Sequence, residues 1–202
     1  MLAAETALIL IGFQNDYFHR DGVLRSAIED GRNVDDVLAR TTALMTRLAD
    51  SAVTMIATPI LFTPNYEELV EPTGILKVVR DSGAFRQGTA GGESVGEFRV
   101  FGDRLLEVPG KRGLNAFSNT DLDQVLEGAG IRNVAIAGAI TSVCIDSTGR
   151  AAMDRGYRVT ILSDCTVGRT AFEQEFYCRE ILPLYADVCT ADEWSSQLEQ
   201  PA

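Results

Sequence analysis

The sequence predicts a three-layer α/β/α domain on a mostly parallel sheet of about six strands. Three observations carry this. Short apolar runs alternate with amphipathic stretches along the chain. Residues 133–164 spell out a strand–helix–strand unit, which within one sheet means parallel strands and a right-handed crossover. The chain has 202 residues, 46% of them hydrophobic, ordinary for a globular protein and ample for one domain, taken as 1–202.

The elements follow in order. Thr6 to Ile11, rich in Leu and Ile, reads as the first and central strand. Gly12 to Phe18 is loop-like. Val34, Val37, Leu38, Leu44, Met45 and Leu48 recur at helical spacing. Val53 to Ala57 is a second strand, ended by Thr58-Pro59. Residues 60–110 are less regular, with a turn at Thr63-Pro64-Asn65. Gly83 to Gly96 is glycine-rich but lacks the spacing of a phosphate-binding loop. It reads as a mobile surface loop, or more sharply as a cover over a pocket. Lys111 lies in an apolar, glycine-flanked stretch, and its ordinary reading is a solvated charge. Thr120-x-x-Asp123 resembles a capping box, opening a helix that buries Leu122, Val125, Leu126 and Ala129 and stops at Gly130. Val134 to Ala137 is a strand suited to burial on both faces. Gly138 breaks it, and Thr141 and Ser142 are N-cap candidates for the next helix. The small residues Ser147, Thr148, Gly149, Ala151 and Ala152 let that helix lie close on the sheet. Gly156 stops it, and Arg158 to Leu162 is the next strand. Thr170-x-x-Glu173 caps another helix, ended by Pro183, and Tyr185 to Cys189 is a last strand.

Composition removes several functions. A formal net charge of −11 argues against nucleic acid, whose phosphates need a basic surface, and against anionic membranes. No apolar run is long enough to span a bilayer, and no basic region precedes the first apolar stretch as in a signal peptide. One histidine, His19, rules against a His-based dyad or multi-His metal site. The four cysteines, at 144, 165, 178 and 189, form no C-x-x-C pair. Reduced thiols in a cytoplasm fit this best.

Cys144 is the chemical candidate. It follows the Val134–Ala137 strand and falls in the first turn of the next helix. Free N–H groups and the dipole at a helix N-terminus favour thiolate over thiol, and ligands of open α/β sheets bind at the carboxyl ends of strands. The plain alternative is a small buried residue in a tight turn.

Together these residues resemble the isochorismatase-like cysteine hydrolases, a family that includes nicotinamidases and N-carbamoylsarcosine amidase. The likeness runs from about Ala7 to Val188. It rests on Leu8 through Gly12-Phe-Gln-Asn-Asp-Tyr-Phe18, on Gly110-Lys111 through Ala116-Phe117, and on Ala137 through Thr141-Ser-Val-Cys144 with Ala151 to Asp164. The resemblance implies a Rossmann-like sheet and a catalytic Asp, Lys and Cys, with Lys111 and Cys144 matching two of them. It also implies a cis peptide at Ala139–Ile140 and an oxyanion hole from the N–H groups of Ile140 and Cys144. The Asp should stand two residues before Gln14, where this chain has Gly12. Asp16 is the first candidate to replace it, with Glu68, Glu97 and Glu175 as others. The Asp and His residues that bind metal in nicotinamidases have no match in residues 58–70, so no metal and no cofactor are expected.

The expected activity is hydrolysis of an amide or ureido C–N bond of a small molecule through a Cys144 acyl-enzyme. Retention of Cys144 favours this over vinyl ether hydrolysis. Tyr17, Phe18 and Phe117 would wall the pocket, since aromatic faces suit planar amides; ordinary core packing is their other reading. Family analogy implies a homo-oligomer, dimer or tetramer. The competing class is a degenerate member that binds a small carbonyl ligand, which Gly12 supports and the intact Lys111 and Cys144 oppose. Thiol redox chemistry is the weakest reading, since no resolving cysteine is evident and Cys165 and Cys178 look structural.

Overall fold

The computed structural model describes residues 1–199. In chain order these form β1 (Thr6–Ile11), α1 (Asn15–Phe18), α2 (Gly31–Leu48), β2 (Thr54–Thr58), α3 (Gly74–Ser82), β3 (Leu105–Glu107), α4 (Leu122–Gly128), β4 (Asn133–Ala139), α5 (Asp146–Asp154), β5 (Arg158–Val167), α6 (Ala171–Phe176), β6 (Asp187–Cys189) and α7 (Ala191–Ser196), joined by short irregular helical turns. The six strands make one all-parallel sheet in the order β3-β2-β1-β4-β5-β6. β1 is central, as its sequence predicts.

The strand period of two sorts side chains into two cores. Leu8 and Leu10 of β1 join Met55, Ala135 and Ala137 under α2 and α7, where Val34, Leu44, Met45 and Trp194 are buried. Ala7, Ile9 and Ile11 join Ile56, Val134 and Ile136 under α4 and α5, with Leu122, Leu126 and Ala152. Burial on both faces explains why these strands read as unbroken apolar runs. Gly138 is required where β4 leaves β1: its φ is +130°, and a Cβ there would lie 1.8 Å from the Ile11 carbonyl oxygen.

Three local readings need correction and a fourth holds. The irregular stretch 60–110 contains α3 and the edge strand β3. Thr120 and Asp123 form no capping box: Thr120 bonds the Ala116 carbonyl, and Asp123 takes Arg155 and Tyr157. Thr170 does cap α6, its hydroxyl accepting from the Glu173 N–H at 3.0 Å. Thr141 and Ser142 do not cap a helix: residues 141–145 form a π-helical turn with Ile140 at the cap position and no side-chain cap bond.

Candidate active site

The chain winds outward from the middle of the sheet in two directions, through β2 to β3 and through β5 to β6. At such a switch point, loops leave the carboxyl ends of adjacent strands in opposite directions and a crevice opens. Gly12 follows β1 there. β4 leads through a cis peptide, Ala139–Ile140, into the π-helical turn that carries Cys144 and continues as α5. Lys111 arrives after β3, its backbone bridged in parallel to Ile60.

Lys111 is 1% exposed and Cys144 8%. The Lys111 ammonium donates to the Gly113 carbonyl at 2.5 Å and to the Cys144 sulfur at 3.7 Å. Among the described residues it forms no ion pair with a carboxylate. A buried charge is costly unless paired, and among the described residues the side chain that the ammonium reaches is Cys144, through its sulfur.

The structure does not bring Asp16 to the pair. Its buried carboxylate accepts from the Phe85 N–H at 2.6 Å, and Gly91 packs so close that a Cβ there would lie 2.2 Å from Asp16 Oδ1. Asp16 therefore pins the glycine-rich segment, with help from neighbours: Asn15 donates to the Ala90 carbonyl and Gln14 to the Gly92 carbonyl, both at 2.7 Å. The mobile-loop expectation for Gly83 to Gly96 gives way to an anchored wall. Glu68 is held by Thr63 and Arg112, Glu175 pairs with Arg179 at 2.9 Å, and Glu97 lines a separate surface groove. Gly12 has φ +70°, and a Cβ there would meet the Ala139 carbonyl oxygen at 3.0 Å.

Over Cys144 and Lys111 lies a cavity of ≈ 20 Å³, about one water in size. Ile60, Phe85, Leu114 and Val143 wall it, and α3 closes it with Ile75, Leu76 and Val79. Of the three aromatic candidates only Tyr17 reaches this cavity. Phe18 stacks on Phe13 at 4.6 Å between ring centres. Phe117 stacks on Tyr157 beneath the Arg155 guanidinium. Both are core residues. Two roomier grooves, of ≈ 430 and ≈ 920 Å³, contain neither Cys144 nor Lys111 and are surface features.

Sequence reasoning missed the residues that hold the turn carrying Cys144. Ser142 donates to Glu173 Oε1 and Thr141 to Gln174 Oε1, both at 2.6 Å. Glu173 is locked by Arg169, whose N–H and Nε lie 3.1 and 2.8 Å from its two oxygens. Burial alone would raise the Glu173 pKa, but the Ser142 and Arg169 hydrogen bonds outweigh it and hold the carboxyl below its usual range. The pairing spans more than thirty residues, |i−j| of 33 for Thr141 and Gln174, so no local pattern announces it. Gln14 was likewise unread: its amide takes both the N–H and the carbonyl of Ile60 at 2.9 Å.

An all-parallel α/β sheet with a buried Cys–Lys pair at its switch point defines a cysteine-hydrolase type of site. Residues 6–193 match the isochorismatase domain, and the chain belongs to that family. It is 30% identical over 183 residues to a ureidoacrylate amidohydrolase, RutB, of Stutzerimonas stutzeri, covering 82% of this chain and 71% of that one. In fold it matches a cysteine hydrolase from Pseudomonas syringae pv. phaseolicola (TM-score 0.79, 21% identity, 96% of this chain and 92% of that one). It also matches an N-carbamoylsarcosine amidase from Thermoplasma acidophilum (TM-score 0.73, 20% identity, 93% and 97%). Among the described residues no helix is long and apolar enough to cross a membrane, and no cluster of three or more His, Cys, Asp or Glu is placed to hold a metal ion.

Proposed function

We propose that this chain is a cysteine amidohydrolase that cleaves the C–N bond of a small amide or ureido compound with Cys144 and Lys111 acting as a pair. The observation that carries this is the 3.7 Å contact between the Lys111 ammonium and the Cys144 sulfur, in a site where no described carboxylate reaches the ammonium. Relatives named as an amidohydrolase and an amidase support the reaction class.

In this reaction Cys144 attacks as a thiolate beside the Lys111 ammonium, the pair set by their 3.7 Å contact. The sulfur attacks the carbonyl carbon, and the N–H groups of Ile140 and Cys144 receive the oxyanion, a contribution of roughly 2.7–4 kcal/mol per donor. The C–N bond then breaks as the leaving nitrogen takes a proton from Lys111. The leaving amine departs, and a thioester and a neutral Lys111 amine remain. A water attacks the thioester and passes its proton to that amine, and the carboxylic acid departs as the thiolate re-forms. Lys111 serves as acid in the first half and base in the second. The site's charge sums to zero in the resting and acyl-enzyme states, so a third ionised side chain is not needed.

The thiolate must stay reduced, which suits a cytoplasm. Phe172 and Phe176, 78% and 42% exposed and stacked on each other, support association into a homo-oligomer, which sedimentation would test.

Three variants test the pair. Cys144→Ser should abolish turnover and acyl-enzyme formation. Lys111→Met should slow iodoacetamide labelling of Cys144 at neutral pH, and an unchanged rate–pH profile would sink its role. Asp16→Asn keeps an acceptor for the Phe85 N–H and should retain turnover within about tenfold; a loss of about 10²–10⁴-fold, usual for a proton-transfer group, would return Asp16 to the mechanism.

A further inference from the structure

Among the described residues Lys111 is the one charged side chain lining the cavity, and its ammonium is already spent on the Cys144 sulfur and the Gly113 carbonyl. The nearest arginine in sequence, Arg112, points away to Glu68 at 3.1 Å. The remaining walls are mainly Ile60, Ile75, Leu76, Val79, Phe85 and Leu114. One polar side chain is left over. Tyr17 is 4% exposed and lines the cavity, yet its hydroxyl makes no hydrogen bond with any described residue. The hydroxyl is not sealed in protein, unlike the enclosed and unpartnered Thr41 Oγ1 and Trp194 Nε1; Tyr17 lines the cavity, where a bound ligand can take up its hydrogen bond. Burial, then the nearby charges of Cys144 and Asp16, push its pKa well above the ordinary tyrosine value. It stays protonated and acts as a donor.

We propose that the cavity selects uncharged small amides with an apolar acyl group, read through one hydrogen bond from the Tyr17 hydroxyl, and rejects substrates bearing a second, ionised carboxylate. This rests on the hydrolase reading above and narrows it. A substrate carboxylate would sit unpaired among aliphatic side chains, and that penalty is large. An uncharged amide meets no such penalty. The chain would then part from its relative named for ureidoacrylate, which is itself a carboxylate.

The test uses the full chain and two haloacetyl probes of nearly equal size, iodoacetamide and iodoacetate, with Cys144→Ser to assign the label by mass spectrometry. Glutathione supplies the intrinsic ratio of the two rates. Relative to that ratio, Cys144 should favour iodoacetamide by at least about tenfold, the cost of burying one unpaired charge. An equal or reversed preference would overturn the proposal. Leu76→Arg, on a half-exposed position of α3, should shift the preference back toward iodoacetate. No shift would also count against the pocket as selector. Butyramide and succinamate then test turnover. Butyramide should win by about 10–100-fold in kcat/KM, and Tyr17→Phe should lower its kcat/KM. Preference for succinamate would overturn the proposal. Alkylation selectivity without hydrolysis of either amide would leave the selectivity standing and remove the hydrolase reading. Hydrolysis of both amides at similar rates would do the opposite.

Discussion

At the scale of single residues, Gly12 shows how backbone conformation resists an added side chain. In the family likeness an acid stands there, but here φ is +70° and a Cβ would press on the Ala139 carbonyl oxygen at 3.0 Å. That carbonyl belongs to the cis peptide preceding the nucleophile's turn. Left-handed backbone costs a non-glycine residue about 1–2 kcal/mol, somewhat less for Asp, and the tight contact adds to it. Gly12→Asp should therefore lower stability by about 1–2 kcal/mol in denaturant unfolding. Wild-type stability would show that the turn relaxes freely. Asp16 illustrates the opposite case, a carboxylate present in the motif but committed to a backbone N–H. Sequence alone shows which residue types are near; only the fold shows which are already occupied.

At the scale of elements, legibility followed burial. β1, β2, β4 and β5 are flanked by core, so their apolar runs stood out. β3 is three residues long with two of them exposed, so it shows no apolar run; α3 does set Ile75, Leu76 and Val79 on one face, but over nine residues with only Val79 fully buried that stripe is short. The turn at 141–145 was misread because Ser and Thr before a helix usually cap it, whereas these hydroxyls face α6. That contact has a pH signature. Glu173 has a depressed folded-state pKa, so its stabilisation is fully present above the unfolded carboxylate value, about 4.3, and is lost as pH falls through the lower folded value. Glu173→Gln should remove that acid-side dependence. It should also cost about 1–3 kcal/mol at neutral pH through the lost charged hydrogen bonds and slow Cys144 alkylation by loosening Ser142. An unchanged acid limb of the stability profile would detach Glu173 from the turn.

At the scale of the whole molecule, the fold gives four chemically identical thiols different surroundings, three with a raised pKa and one beside an ammonium. The sequence placed the cysteines but could not rank their surroundings, beyond noting that Cys144 follows a strand. Cys165 is completely buried, and burial pushes its thiol up to about 12. Burial likewise pushes Cys178 up to about 11, and raises Cys189, with Glu193 and other acids adding to it. The thiolate is the nucleophile, so a raised thiol stays protonated and slow at neutral pH and gains reactivity only as pH climbs toward its own value. Cys144 alone has an ammonium at its sulfur. At about pH 7.5 iodoacetamide should therefore label the folded chain once, at Cys144, while the same chain in guanidinium should take four labels. Entry to Cys144 still requires Ile75, Leu76 and Val79 to move aside, because the ≈ 20 Å³ above it holds about one water. The labelling rate should accordingly rise in Leu76→Ala without any change at the other three thiols, since α3 covers this site and not theirs. Equal acceleration at all four would mean that global unfolding, rather than movement of α3, exposes the nucleophile.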